Sequence, residues 1–452
     1  MVSTGGTVYA LSKIVSALMP LPAGHALADP ATGHLSVPLI SVALCVVVIV
    51  ITFAGGLWAV LMTDVLQFVI LTVSVVFVVP LILVKVGGWG SFTAAAPEGF
   101  LAPVAADFSI WFLLGWMIIN FFIFAADWAF VQRWVCVPTA TDAKKAAYLL
   151  GALYLASPIF WMLPPLLYRV VNADADSELA YIFACKLVLP AGMVGLMVAA
   201  MASATASQAT TRLNVFAGAF TEAYHRLANK SASESHLVFV GRIITILLGL
   251  VVVAGALLVP KYGYTRFTID INTLLYVPLF LPFVWGLFSK KIGVGAVWVT
   301  TIVGFIAGWI VKFALSGDGF LTNVEFLLPI VVWIELNTRV AGMLAAIVTP
   351  FLILIAFEVL GKKEDPGWAR AQNAKRTFHE LPVMEVDTMP GKMVAISLGA
   401  IALLMGLLAI FYRQEAGILA SVSIVLIAIG GTLYVFLHRA DKSRRTSNLI
   451  DK

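Results

Sequence analysis

Apolar runs close to 20 residues long recur along almost the whole chain, divided by short polar breaks. A run of that length crosses a hydrocarbon layer of roughly 30 Å only as an α-helix, which pairs its own backbone N–H and C=O groups. The runs are continuous instead of alternating, which excludes a membrane β-barrel. Of the 452 residues, 61% are hydrophobic and 12% charged, too apolar a balance for a soluble fold to cover. The expected fold class is an all-α polytopic membrane protein. Twelve spans are read at 5–21, 37–56, 64–86, 108–131, 147–170, 191–226, 237–260, 267–288, 292–315, 338–360, 393–412 and 417–438.

Lysine and arginine sort by side. Segments 133–145, 226–242, 290–291, 362–392 and 439–452 hold 19 of the 29, while Lys13 and Arg212 fall within spans. The positive-inside rule then puts both termini in the cytoplasm of a plasma or bacterial inner membrane, and an even number of spans agrees. The net charge of +5 is mostly this rim, so the partners expected are a lipid bilayer and a small solute, not nucleic acid. Cys45, Cys136 and Cys185 have no metal or redox spacing, and the six histidines are scattered. With no nucleophile–base pair or phosphate loop, neither an enzyme nor an organic cofactor is expected.

Residues 1–361 read as a transmembrane core, 362–391 as a cytoplasmic connector, 392–438 as two trailing spans and 439–452 as a basic tail. The outer segment 316–337 contains an apolar string, Phe326 to Trp333, that is too short to span and reads as an interfacial piece, and 177–190 reads as a short outer helix. Pro158, Pro164 and Pro165 interrupt one span and Pro278 and Pro282 another, freeing carbonyls that neighbours, water or a ligand must meet. Gly304 and Gly308 have the spacing of a close helix contact.

Two spans carry polar side chains at a depth where they are costly and usually face a protein-lined cavity. A helix over 115–133 holds Asn120 and Asp127 and ends in Gln132-Arg133. A helix over 192–226 holds Ser203, Thr205, Ser207, Gln208, Thr210, Thr211 and Arg212. Together they point to a pathway for a small solute.

Four strings resemble the sodium:solute symporter family, whose members carry sugars, proline, inositol and sialic acid. They are Gly55-Gly56-Leu57 through Thr63-Asp64 to Gln67; Asn120 through Asp127 to Gln132-Arg133; Gly195-Leu196-Met197 through Asn214 to Phe220-Thr221-Glu222-Ala223-Tyr224; and Gly286-Leu287-Phe288-Ser289-Lys290-Lys291. The resemblance implies a leucine-transporter-type bundle of two inverted five-helix repeats (5+5), with broken helices around solute and ion near the midplane. Aligned this way, the strings begin at the family's core helix three, so the bundle reads as N-terminally incomplete. A start codon upstream of Met1 and a natural fragment are the two explanations.

The same resemblance suggests site residues. Ser207 matches a sodium-binding hydroxyl, Ala204 a position that offers its carbonyl, and Gln208 a position usually held by a second hydroxyl. Sodium is thus the candidate coupling ion; the alternative is that these small polar residues only let helices pack closely. Arg212 shares a face with Gln208 one turn earlier. It either replaces the ion as a tethered cation, with Asp64 on the ion path as its partner, or snorkels to headgroups, or marks lost function. Asn120 matches a solute-contacting amide, which both donates and accepts. Ile123 stands where a gating tyrosine is usual, so Phe121, Phe122 or Phe124 is expected to shape the pocket. Asp127 either pairs with Arg133 or lines the exit. Asp270 and Asn272 lie where substrate contacts are expected, although Asp270 equally fits a helix N-terminal acid.

The reading is a secondary active carrier of a small polar organic solute, coupled to sodium. Its rival is a non-transporting membrane sensor or scaffold, which gains from Gln208 and Arg212 and loses for want of any signalling domain.

Overall fold

The computed structural model describes residues 1–22, 24–54, 57–102, 104, 108–135, 137, 139–317, 319–361, 364–377 and 389–450. The side chains of 51, 53–54, 57–63, 132–133, 135, 374–377, 390 and 440–450 lie outside the description. Gly55-Gly56, the side chains of Gln132-Arg133, Cys136 and most of the second half of the connector therefore fall outside the described residues.

Helices dominate. α1 (Val2–Leu18), α2 (Val37–Ala54), α3 (Leu57–Val86) and a short α4 (Gly88–Ala95) come first. α5 (Ile110–Ala126) and α6 (Trp128–Val135) meet at Asp127, and α7 (Ala140–Val171), α8 (Ala180–Val188), α9 (Ala191–Leu227) and α10 (Glu234–Leu258) follow. α11 (Tyr264–Ile271) passes through a π-helical turn, Asn272–Tyr276, into α12 (Val277–Gly286). α13 (Val294–Trp309) ends in a second π-helical turn, Ile310–Ala314. α14 (Leu328–Leu336), α15 (Thr338–Leu360), α16 (Pro366–Thr377), α17 (Met389–Phe411) and α18 (Ala416–Ile450) close the order.

Each expected span is helical over most of its described residues. Among the described residues, nine helices are long and apolar enough to cross a membrane, and Val37–Val50 and Ile110–Ala126 are shorter apolar ones. α1, at 17 residues with Lys13 inside it, stands at the short end of what crosses a membrane. Leu155 is 84% exposed and Val84 79%, a surface for which lipid, not water, is the natural solvent.

Several boundaries differ from expectation. The helix read over 115–133 is two helices broken at Asp127. α7 starts at Ala140 instead of 147 because Thr139 and Asp142 form a capping pair: the Asp142 N–H donates to Thr139 Oγ1 at 3.1 Å, and that hydroxyl donates to Asp142 Oδ2 at 2.8 Å. Its three prolines do not end it. The connector contains α16, and α18 runs on through the expected tail.

The chain forms two compact units, one of 1–96, 149–264 and 385–452, the other of 97–148 and 265–384. In the first, α1, α2, α9 and α10 pack pairwise around Val8, Cys45, Val48, Ala209, Leu213 and Val252. The closeness of α1 to α10 depends on glycine. A Cβ on Gly5 would stand 2.5 Å from the Val252 carbonyl oxygen and from the Ala256 nitrogen, and one on Gly255 3.0 Å from the Val2 oxygen. These are backbone atoms that cannot swing aside. In the second unit, α5, α12, α13 and α15 pack around Ile119, Val277, Leu281, Met343 and Leu354. There a Cβ on Gly304 would meet Pro350 at 2.6 Å and Pro278 at 3.0 Å, so Gly304 is a contact face.

Within the first unit Lys13 pairs with Asp176 at 2.7 Å and Glu178 at 2.6 Å. Glu178 also accepts the Tyr264 N–H at 3.0 Å, at the start of α11. Burial alone would raise the Asp176 carboxyl, but the Lys13 hydrogen bond, the Glu178 N–H and the Lys13 charge hold it below the usual carboxylate range. A depressed carboxyl stabilises the fold above its unfolded value, and that stabilisation is lost as pH falls through the folded value.

Gly5→Ala should therefore lower the melting temperature of the detergent-solubilised protein, at a cost of about 1–3 kcal/mol or more. Gly218→Ala, where an added Cβ meets nothing within 4 Å, should leave it unchanged. Lys13→Met should lower the melting temperature at neutral pH. The gap from the parent should shrink as pH drops below about 4, the unperturbed carboxylate value.

Candidate functional site

In the first unit, small residues along α9 let α3 approach closely enough for side chains to bond across the seam. Ser207 Oγ donates to the Asp64 carboxylate, and Gln67 Nε2 donates to Ser203 Oγ. Three residues forward along α3 match four residues back along α9, so the two helices pair antiparallel. One turn beyond Ser207, Thr52 donates its hydroxyl hydrogen to its own helix at the Val48 carbonyl, 2.7 Å away, and its Oγ1 is in hydrogen-bond contact with Thr210 Oγ1 at 3.2 Å. Ser207, Thr210 and Thr211 are all buried, as is Gln67. Interhelical bonds of this kind contribute about 1 kcal/mol each in membrane proteins. Chemically the seam is a carboxylate and a row of hydroxyls in apolar surroundings, a set of hard oxygen donors.

Among the residues matched to an ion site, Ser207 faces Asp64 inside the seam, Ala204 is half-buried one turn earlier, and Gln208 is exposed. A 100° step per residue turns Gln208 away from the face that Ser207 presents to α3. Arg212 is half-buried five residues beyond Ser207.

The other candidates lie in the second unit. Ser109 caps α5 by accepting the Phe112 N–H. Along that helix Asn120 turns its amide nitrogen back to the Trp116 carbonyl at 2.8 Å, which commits one donor and fixes the side chain's direction. Phe121 is 61% exposed. Phe124 packs edge-on against Phe130 with centroids 4.7 Å apart. Asp127, buried, has extended backbone (φ −65°, ψ 119°), and its Oδ1 accepts the Ala129 N–H at 3.0 Å. That carboxylate caps α6, which accounts for the break. The side chain of Arg133, its expected partner, lies outside the described residues.

Asp270, at the end of α11, forms an ion pair with Lys312 and lies 4.0 Å from Arg266. Its charge is met by cations of the chain itself. Asn272 opens the first π-helical turn, and Lys312 stands within the second. Such turns interrupt regular pairing and recur at functional sites.

Residue-level reading missed the Gln67–Ser203 pair, the Thr52–Thr210 pair and Lys312. Only the last left a signal, a lysine inside the apolar run 292–315. Among the described residues, no cluster of three or more His, Cys, Asp or Glu is placed to hold a metal ion.

A solved structure described as the substrate-bound outward-open state of a Na+-coupled sialic acid symporter, with a novel Na+ site, matches with a TM-score of 0.55 at 20% identity. The match covers 80% of this chain and 74% of that one, and it supports the inverted-repeat, leucine-transporter-type fold. Sodium/myo-inositol cotransporter 2 of Bos taurus is 27% identical over 320 residues, 61% of this chain and 47% of that protein. The human protein of that name is 28% identical over 321 residues, 61% of this chain and 46% of its own. The chain spans about half the length of the curated relatives it matches. The sodium:solute symporter family matches residues 23–304, and this multi-pass membrane chain belongs to that family.

Proposed function

We propose that the protein is a secondary active carrier of a small polar organic solute, a sugar, polyol, amino acid or related compound, driven by sodium. The observation that carries this reading is the Ser207 hydroxyl set against the Asp64 carboxylate between two spans. Oxygen donors suit a hard cation. A carboxylate set between membrane spans is costly to desolvate, so a cation arriving at this seam has a large electrostatic effect on Asp64. Sodium is cargo here as well as coupling ion. It favours the conformation that binds solute, and by reciprocity the solute favours sodium.

Asn120, Phe121 and Phe124 on α5, with Asp270 and Asn272, are the proposed solute contacts. Asn120 Oδ1 accepts from a solute hydroxyl while its amide nitrogen stays on Trp116. Ala204 contributes to the ion site beside Ser207, and Gln208, being exposed, bears on ion entry more than on coordination. Asp127 acts on the exit path. The proposed setting is a cell membrane with both termini of this chain on the cytoplasmic side, where most of the lysine and arginine falls.

A second reading has its own observation. Arg212 is a half-buried permanent cation one turn from Gln208 on the same helix, and such a charge paired with Asp64 would replace sodium and give an ion-independent carrier or exchanger.

Uptake into proteoliposomes tests both, with myo-inositol and sialic acid as probes. An inward sodium gradient should drive accumulation, and Asp64→Asn or Ser207→Ala should raise the sodium concentration for half-maximal uptake about tenfold or more, the loss of one charge-assisted contact. Uptake indifferent to sodium and abolished by Arg212→Gln would instead establish the tethered-cation carrier. Binding of a probe without flux would favour a sensor. Asn120→Ala should weaken solute affinity several-fold at unchanged folded yield; a fall in yield would make Asn120 a packing residue.

A further inference from the structure

A cavity of about 390 Å³ opens within the second unit between α11 with its π-helical turn, the end of α13, and the junction of α14 with α15. Its charged lining is Arg266, Lys312 and Arg339 against Asp270 and Glu335. The Asp270–Lys312 pair neutralises itself, so the remaining side chains leave an excess of positive charge. Arg339 spreads its guanidinium 4.2 Å over the Phe108 ring, which holds that cation in place.

The floor of the cavity is the start of a 23-residue helix, α15. Its N-cap residue Asn337 gives no side-chain cap; its amide nitrogen donates backwards to the Trp333 carbonyl at 3.1 Å. The first backbone bond into the helix is from the Ala341 N–H to the Asn337 carbonyl. The N–H groups of Thr338, Arg339 and Val340 have no acceptor within the helix, and the helix dipole adds positive potential there. A second observation points to a ligand: Thr273, only 6% exposed, lines the same cavity with a buried hydroxyl that has no hydrogen-bond partner among the described residues.

We propose that this cavity binds the carboxylate of a small organic acid. The carboxylate lies on the α15 N-terminus, takes the guanidinium of Arg339 and the charge of Arg266, and accepts from the Thr273 hydroxyl. A two-oxygen anion matches a guanidinium fork and a row of backbone donors. Leu274, Leu336 and Val340 supply an apolar wall for the carbon skeleton. The volume holds about a dozen waters at the liquid value of roughly 30 Å³ each, more than an inorganic anion needs and enough for a six-carbon acid. As a statement of cargo class, a polyhydroxy or similar carboxylate in place of a neutral polyol, this rests on the carrier reading.

Calorimetric titration of the detergent-solubilised full chain, at constant sodium, tests it with gluconate against glucitol, which has the same carbon chain without the carboxylate. Gluconate should bind saturably, glucitol at least about tenfold more weakly, the loss of one charge-assisted contact, and equimolar chloride should not compete. Arg266→Gln, Arg339→Gln and Thr273→Val should each weaken gluconate while glucitol stays unchanged. Arg266, 76% exposed at its side chain, is the variant least able to disturb folding, and melting temperatures identify any misfolded protein. Equal binding of the two probes, no binding, competition by chloride, or parental affinity in folded Arg266→Gln and Thr273→Val protein would overturn the proposal. Gluconate binding without sodium-driven accumulation in vesicles would retire the carrier reading and leave the anion site standing. Accumulation of a neutral polyol by protein that does not bind gluconate would do the reverse.

Discussion

A carboxylate placed between membrane helices needs donors, and the hydroxyl of Ser207 gives Asp64 one across the seam. Hydrocarbon offers nothing in its place, so each polar group within the spans must find a partner in the chain or pay a desolvation cost of several kcal/mol. The α3–α9 seam meets this demand by register. Asp64 with Ser207 and Gln67 with Ser203 fix how far one helix has slid along the other. Slipping by a residue would rotate both pairs out of contact together. The seam that suits a cation is thus also the seam that locks two spans.

The second unit meets the same demand with charge. Asp270 and Lys312 are 42 residues apart in sequence, yet each neutralises the other beside a π-helical turn. Breaking such a pair by removing one member would strand a charge. Close packing around the pair depends on small residues: Gly308 admits Leu274, and Gly304 admits Pro278 and Pro350. Regular helix is given up at these π-helical turns, and both bear on the cavity lined by Arg266 and Arg339. In membrane proteins irregular backbone is tolerated where protein buries it or where it lines a cavity.

Much of the fold was legible because hydrocarbon thickness is a simple ruler. A run of about 20 apolar residues has one structural solution, and each expected span is helical over most of its described length, though 108–131 breaks at Asp127. The polar string in α9 was legible as an anomaly for the same reason, since Ser207 and Arg212 are expensive where they stand. What could not be read were facts set by a second helix. Gln67 and Ser203 are unremarkable alone, and nothing local says they are partners 136 residues apart. The break at Asp127 was missed because an aspartate in an apolar run fits an ion pair as well as a cap. The early start of α7 was missed because hydropathy does not register the Thr139–Asp142 capping pair. Lys312 was visible as an anomaly, but its partner and its cavity appear only in three dimensions.

Sodium is proposed to enter the Asp64–Ser207 seam. The most direct measurement is the melting temperature of the detergent-solubilised protein as sodium replaces choline at constant ionic strength, for the parent and for Asp64→Asn. A ligand that binds only folded protein stabilises it by RT ln(1 + [L]/Kd). A saturable rise with sodium is expected in the parent, and in the variant the same rise displaced about tenfold or more to higher sodium. A parent as stable in choline as in sodium, or a variant that still responds like the parent, would contradict it.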